Sequence, residues 1–207
     1  MLLIEIAHPA GRFDDEDRAM LGDAILDLFL APDAQTTDTI DRARQATHIA
    51  FRELHGWRTG FGTPSADTAP PVIVTLTVPA AWRDEGGDTF MGLLRTAVRR
   101  LDEARGWDRP RGSLWIRVEG VPDGQIGLDG RPSTAEDVLS FLTEDFRSAQ
   151  EKGAAAPAPA GRLVDPICGM IVPDGRGTIT LDHDGVRLGF CADGCRTAYA
   201  RREGLPL

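Results

Sequence analysis

The apolar residues before position 150 describe a strand, a helix and a strand, and then describe the same succession again. Strand-like runs and helix-like spacings alternate in this order: a strand at 2–7, a helix after Phe13 that ends before Pro32, a strand at 47–54, a strand at 72–78, a helix at 90–105 and a strand at 113–119. Two such β-α-β units with right-handed crossovers predict an α+β fold. We expect one four-stranded sheet with both long helices on one of its faces.

Local signals place the ends of these elements. Four acidic residues at 14–17 are typical of a helix N-terminus, and Asp88 is predicted to cap the second long helix. Each unit then closes with a glycine-rich hairpin, at 60–62 and at 124–130. A final helix is predicted from Thr134 to Phe146.

An Ala/Pro-rich segment at 150–161 contains no large apolar residue and is predicted to be a tether. The chain therefore divides into a body at 1–148, with repeats at about 2–67 and 71–146, a linker at 149–162 and a tail at 163–207. A tail of this size is near the limit at which a hydrophobic core alone is stable, so a metal or a covalent staple is expected.

Composition excludes several classes of function. Acidic residues number 32 against 23 basic ones, and no concentrated basic run suggests a nucleic-acid partner. Lys152 is the only lysine and lies in the linker, which excludes a P-loop lysine and a buried Schiff-base lysine. No apolar run is long enough to span a bilayer, and no basic export signal opens the chain, so we expect no membrane association and a cytoplasmic location.

The body resembles the tautomerase superfamily, the group of 4-oxalocrotonate tautomerase and macrophage migration inhibitory factor. The resemblance covers about residues 2–146 and is carried by the opening strand leading to Gly11-Arg12, by the hairpin at 60–62, and by their repeats at 72–83 and 124–130. It implies a homo-oligomer, with a trimer favoured. It also implies catalysis by an N-terminal proline, whose secondary amine is the base.

That proline is absent, because Leu2 occupies the matching position. Pro71 opens the second unit, but its nitrogen is an internal amide without a basic lone pair. Arg12 and Arg83 match, or lie near, the position at which family members bind a substrate carboxylate. The alternative interpretation is that both are solvated arginines at strand ends.

Three isolated histidines of the body are candidate acid-base groups, although each is also compatible with a structural or surface role: His8, His48 and His55.

All three cysteines of the chain lie in the tail. Cys168 belongs to an Asp-Pro-Ile-Cys-Gly-Met run, and Cys191 and Cys195 are spaced so that one helical turn, or its leading loop, presents both sulfurs on the same side. Two short strands at 178–182 and 186–190, joined by a turn, separate the two groups. Three thiolates can then converge on one soft or borderline ion, which predicts Zn, Cu or Fe.

This pattern resembles the YHS domain and the related TRASH domain, small treble-clef-like metal-binding modules. The resemblance covers 164–202 and implies that the ligands are Cys168, Cys191 and Cys195. The sequence departs from it at Leu188-Gly189, where aromatic residues are usual.

The fourth ligand of such a site stays open between Asp165, His183, water or another exchangeable partner, and none at all for three-coordinate Cu(I). The cysteines also have a simpler interpretation as small buried apolar residues.

Two functions follow from the sequence. The first is a metal-binding protein in which the tail binds the ion and the tautomerase-like body provides an oligomeric scaffold. The second is a tautomerase or isomerase-type enzyme acting on a small unsaturated carboxylate, with Arg12 and Arg83 binding the acid and a histidine or the α-amine of Met1 transferring protons. A third interpretation combines them: metal in the tail would control access to a pocket in the body.

Overall fold

The computed structural model describes residues 2–30, 37–152 and 158–206. The body comprises β1 (Leu3–Pro9), α1 (Asp15–Phe29), α2 (Thr37–Gln45), β2 (His48–Leu54), β3 (Val72–Pro79), α3 (Ala80–Arg105), β4 (Leu114–Val121), β5 (Ile126–Leu128), β6 (Arg131–Ser133), α4 (Ala135–Leu142) and α5 (Glu144–Glu151). The tail comprises β7 (Arg162–Val164), β8 (Ile171–Pro173), β9 (Ile179–His183), β10 (Val186–Phe190) and α6 (Asp193–Glu203). Met1 and residues 153–157 of the predicted linker lie outside the described residues.

The four long strands of the body form one sheet in the order β2-β1-β3-β4. Each repeat contributes a parallel pair, β1 with β2 and β3 with β4, and the repeats meet in the antiparallel pair β1-β3. Alternate residues of β1 and β3 face α1 and α3, and they form one apolar core with residues such as Leu21 and Leu94. The predicted α+β class and the predicted sheet are confirmed.

The second long helix begins ten residues earlier than predicted, at Ala80, so the prediction that Asp88 caps it is wrong. Gly86 and Gly87 lie inside the helix, although each glycine weakens a helix by about 1 kcal/mol relative to alanine. Trp82 and Phe90 flank this glycine pair and pack against the core of the sheet. This packing favours a continuous helix.

Helix α2 lies in a stretch where the sequence analysis predicts no regular element. Its apolar residues are too few to show a helical spacing in the sequence. In the structure, Ile40 and Ala43 are buried against Val138 and Leu142 of α4. The predicted helix at 134–146 is in turn divided at Thr143 into α4 and α5. Tertiary contacts decide both features.

The tail contains two antiparallel hairpins followed by a helix. β9 and β10 pair around a turn in which Asp184 and Gly185 both have positive φ, as the predicted hairpin requires. Gly189 of β10 lies so close to the first hairpin that a Cβ there would be 2.7 Å from atoms of Leu163 and Val172. This close approach explains why position 189 is a glycine.

No helix within the described ranges is both long and apolar enough to cross a membrane.

Candidate metal centre

Three elements of the tail bring the cysteines together. Cys168 lies in the turn between β7 and β8, Cys191 directly follows β10, and Cys195 is in the first turn of α6. The Sγ atom of Cys191 is 3.5 Å from that of Cys168 and 3.6 Å from that of Cys195. All three are free thiols, and Cys168 and Cys195 are buried.

Asp165 fixes the backbone around these thiols. Its side chain is fully buried, and Oδ1 accepts hydrogen bonds from the amides of Ile167 and Cys168 while Oδ2 accepts one from the amide of Cys191. One carboxylate therefore joins the turn that carries Cys168 to the strand end that carries Cys191.

The ionisable groups of the cluster have pKa values that shift in different directions. Contacts with the thiols of Cys168 and Cys195 lower the pKa of Cys191 to about 3, whereas contacts with the two other thiols raise the pKa of Cys168. Burial and the neighbouring charge of Cys191 raise the pKa of Asp165 to about 6. Cys191 is therefore the thiol that loses its proton most readily.

The dimensions of the cluster fit a tetrahedral ion. A tetrahedral site with metal–sulfur bonds of about 2.3 Å separates its sulfurs by about 3.8 Å. The two sulfur separations from Cys191 are slightly shorter than this, and the ligand atoms of the cysteines and of Asp165 all lie within 4.8 Å of one another. No second cluster of three or more metal-ligating side chains was found among the described residues.

The two fourth-ligand candidates differ in position. Asp165 belongs to the cluster, whereas His183 does not and instead forms a 2.9 Å hydrogen bond through Nδ1 with the hydroxyl of Tyr199. Tyr199 also packs against Phe190 in the apolar core of the tail. The position of His183 is thus that of a residue supporting this core.

Beside the thiols lies a cleft of about 490 Å³ between the body and the tail. All three cysteines contribute to its wall, and so does Leu2, the residue at the position where the sequence resemblance implies a proline. Asp165 does not line it. The sequence analysis does not predict the cleft, since its walls come from segments as distant as α1, α3, α4 and the tail.

Direct contacts attach the tail to the body on both sides of this cleft. The carboxylate of Glu85 in α3 accepts hydrogen bonds from the amides of Asp193 and Gly194 at the start of α6. The hydroxyl of Thr39 donates to the carbonyl of Cys168 at 2.9 Å. The turn that carries one thiol is therefore held by a residue of the body.

The predicted carboxylate-binding arginines are not brought together with the thiols. The guanidinium of Arg12 donates hydrogen bonds to the carbonyls of Ser65, Ala66 and Thr68. These bonds close the loop that follows the glycine-rich turn at 60–62 of the body. Arg83 lies in α3 and pairs with the adjacent Asp84. Neither arginine lines the cleft.

The three histidines of the body occupy separate places. His48 and His55 are exposed, whereas His8 is fully buried and stacks on Phe13 with a centroid separation of 4.5 Å. Burial lowers the pKa of His8. None of the three lines the cleft beside the cysteines.

Comparisons with protein families and with curated proteins found no match. Among solved structures, a fused 4-OT wild type asymmetric trimer is 18% identical, covering 66% of this chain and 98% of its own, with a TM-score of 0.45. A native fused 4-OT is 20% identical, covering 65% of this chain and 96% of its own, with a TM-score of 0.45. A member of the cis-3-chloroacrylic acid dehalogenase family is 15% identical, covering 72% of this chain and 99% of its own, with a TM-score of 0.43. The fold assigned above rests on strand order and register rather than on these similarities.

Proposed function

We propose that this chain is a metal-binding protein whose YHS-like tail binds one transition-metal ion, Zn(II), Cu(I) or iron, through Cys168, Cys191 and Cys195. The observation that carries the proposal is the convergence of three free thiols from three separate elements, with sulfur separations close to those around a tetrahedral ion. If the cysteines were only small buried apolar residues, their three sulfurs would not have to lie this close to one another.

In this proposal the body is a tautomerase-like scaffold that works in the cytoplasm without proline chemistry. Leu2 stands where the proline would supply the base, and its side chain is buried in the wall of the cleft. We further propose that the scaffold is oligomeric, with a trimer favoured by the family resemblance. Apolar side chains on the open face of the sheet support an oligomer, since Leu3, Ile73 and Trp115 are all exposed there.

Elemental analysis of the full chain, purified without chelator and under reducing conditions, tests the metal proposal. We expect close to one metal ion per chain for the wild type and a large loss for Cys191→Ser. Ala192→Ser is a matched control, because it adds a hydroxyl next to Cys191 while leaving all three thiols in place. Equal and negligible metal in the wild type and in Cys191→Ser would contradict the proposal.

The same measurement on His183→Ala tests the other fourth-ligand candidate. This variant should keep its metal, because the imidazole lies outside the thiol cluster and is bonded to Tyr199. Metal loss in His183→Ala would place His183 at the ion through a rearrangement of that bond.

The alternative function, an enzyme acting on a small unsaturated carboxylate, stays a prediction from the sequence. The hydrogen bonds of Arg12 to three carbonyls use the guanidinium that would bind the acid. A screen with enol-pyruvates, comparing the wild type with Arg12→Ala, tests it. Turnover that disappears in this variant and survives metal removal would favour the enzyme.

A further inference from the structure

We propose that the cleft beside the three thiols binds a neutral, mainly apolar small molecule whose single donor atom completes the coordination of the metal. The inference rests on the proposed metal site and adds the chemical class of its exchangeable ligand. Three properties of the cleft carry it: the direction from which it meets the thiols, the character of its walls and its charge.

The cleft reaches the three thiols but not Asp165. All three cysteines line the cleft, whereas Asp165 is fully buried and does not line it. Three backbone amides already use three of the roughly four acceptor positions of that carboxylate, which makes it a poor fourth ligand. An ion bound by the three sulfurs therefore has its exchangeable position towards the cleft.

The walls of the cleft are mainly apolar, and its volume of about 490 Å³ is within the usual range for a small-molecule pocket. The large apolar side chains come from both units of the protein: Leu2, Phe29, Leu30, Trp82, Phe90, Leu139, Leu142 and Met170. Phe29 and Phe90 stack on one another with a centroid separation of 5.9 Å. A ligand with an aromatic or aliphatic body would replace water against these surfaces.

The charges around the cleft disfavour an anionic ligand. Among its described lining residues none is a lysine, an arginine or a histidine, and Glu85 is the one carboxylate. Three thiolates on a divalent ion leave a net negative charge at the metal. A carboxylate ligand would have to leave water without a cationic partner, which costs several kcal/mol, so a neutral donor is favoured.

Cobalt(II) substitution of the full chain provides a test with a visible signal for each step. The charge-transfer absorption between sulfur and cobalt reports metal binding, and the weaker ligand-field bands report a change in the fourth ligand. We expect 4-phenylimidazole to shift the ligand-field bands and to bind about tenfold or more tightly than imidazole, because its phenyl ring enters the apolar cleft. Benzoate should neither shift the bands nor compete.

Substitution at the cleft wall separates this pocket from simple access to the metal. Thr89 is exposed in α3 and lines the cleft, whereas the neighbouring Asp88 is exposed and does not. Thr89→Trp should abolish the preference for 4-phenylimidazole while the sulfur-to-cobalt absorption persists, and Asp88→Trp should leave the preference unchanged.

The outcomes of the inference and of the proposed function are distinguishable. If no sulfur-to-cobalt absorption develops and elemental analysis finds no metal in the purified chain, the metal site itself is wrong. If it develops but imidazole and 4-phenylimidazole bind equally, or benzoate displaces them, the metal site stands and the inferred pocket is overturned.

Discussion

Asp165 shows how a single buried polar residue can hold together the backbone of a site. It is fully buried, and both of its oxygens accept amide hydrogen bonds from the segments that carry Cys168 and Cys191. The Asp-Pro-Ile-Cys motif is visible in the sequence, and Asp165 is predicted there as a metal ligand candidate. Its bond to the amide of Cys191, 26 residues away, becomes visible only in the folded tail.

Asp165→Asn should weaken the tail and its metal site. The amide group can replace one accepting oxygen, but its NH₂ would face either the amide of Cys191 or the amides of Ile167 and Cys168, leaving buried donors unpaired. We expect a loss of about 2 kcal/mol in the free energy of unfolding and a weaker apparent metal affinity. Urea titration and competition with a chelator measure the two effects. Asp182→Asn, at an exposed aspartate of β9, is the control and should change neither.

The burial of His8 predicts how the stability of the protein depends on pH. Its ring is fully buried, Nδ1 lies 3.0 Å from the carbonyl of Pro9, and Nε2 has no hydrogen-bond partner among the described residues. Burial lowers its pKa below the ordinary value of 6.5. The unfolded chain then binds a proton at this residue more readily than the folded one, so its contribution to stability is complete above pH 6.5 and falls as the pH decreases towards the folded pKa.

His8→Phe should remove this contribution, since a phenyl ring can retain the stacking on Phe13 without titrating. The measurement is the unfolding midpoint between pH 5 and 8, compared as the difference between wild type and variant so that other titrating groups cancel. His55→Phe, at an exposed histidine, is the control. A difference between wild type and His8→Phe that does not change with pH would contradict the assignment.

At the scale of elements, the two repeats were predictable because each strand and each long helix has its own pattern. β3 alternates Val72, Val74 and Leu76 towards the core, and α1 repeats apolar residues at helical spacing after an acidic first turn. The start of α3 was not predictable in this way, since its Gly86-Gly87 pair suggests a break. α2 was not predictable either, because its two buried apolar residues acquire partners from distant elements such as α4.

Gly189→Ala tests the packing of the two hairpins of the tail. The added methyl would overlap Leu163 and Val172 at 2.7 Å, so at least one strand must move. We expect a loss of about 1–3 kcal/mol in the free energy of unfolding. Gly175→Ala is the matched control, because a Cβ there meets no atom within 4 Å. Equal unfolding midpoints for the two variants, from denaturant titration, would contradict this packing.

At the scale of the whole molecule, contacts between the tail and the body form a cleft whose walls come from both units. Glu85 of the body accepts hydrogen bonds at the start of α6, and Thr39 donates to the backbone at Cys168. The thiols consequently face α3 and α4 rather than solvent alone. These contacts are the physical connection between tail and body that the third sequence interpretation requires.

The open face of the sheet gives a prediction for assembly. Trp115 is 69% exposed, and Ile73, its register partner on β3, is 38% exposed. Trp115→Glu would place a charge on this apolar surface, so we expect the proposed oligomer to dissociate to monomers in light scattering coupled to size exclusion. Met91→Glu, at an apolar residue 41% exposed on α3, is the control and should leave the mass unchanged. A monomeric wild type would overturn the oligomer proposal.

The sequence by itself determined the local and periodic features of this protein. Strands, long helices and the turn at Asp184-Gly185 follow from backbone preferences and from burial of one face, which neighbouring residues already specify. The spacing of the cysteines likewise indicated which thiols converge. The tertiary structure alone decided the burial of Asp165, the early start of α3 and the cleft against which the thiols lie, because each depends on contacts between residues that are distant in the chain and have no shared pattern.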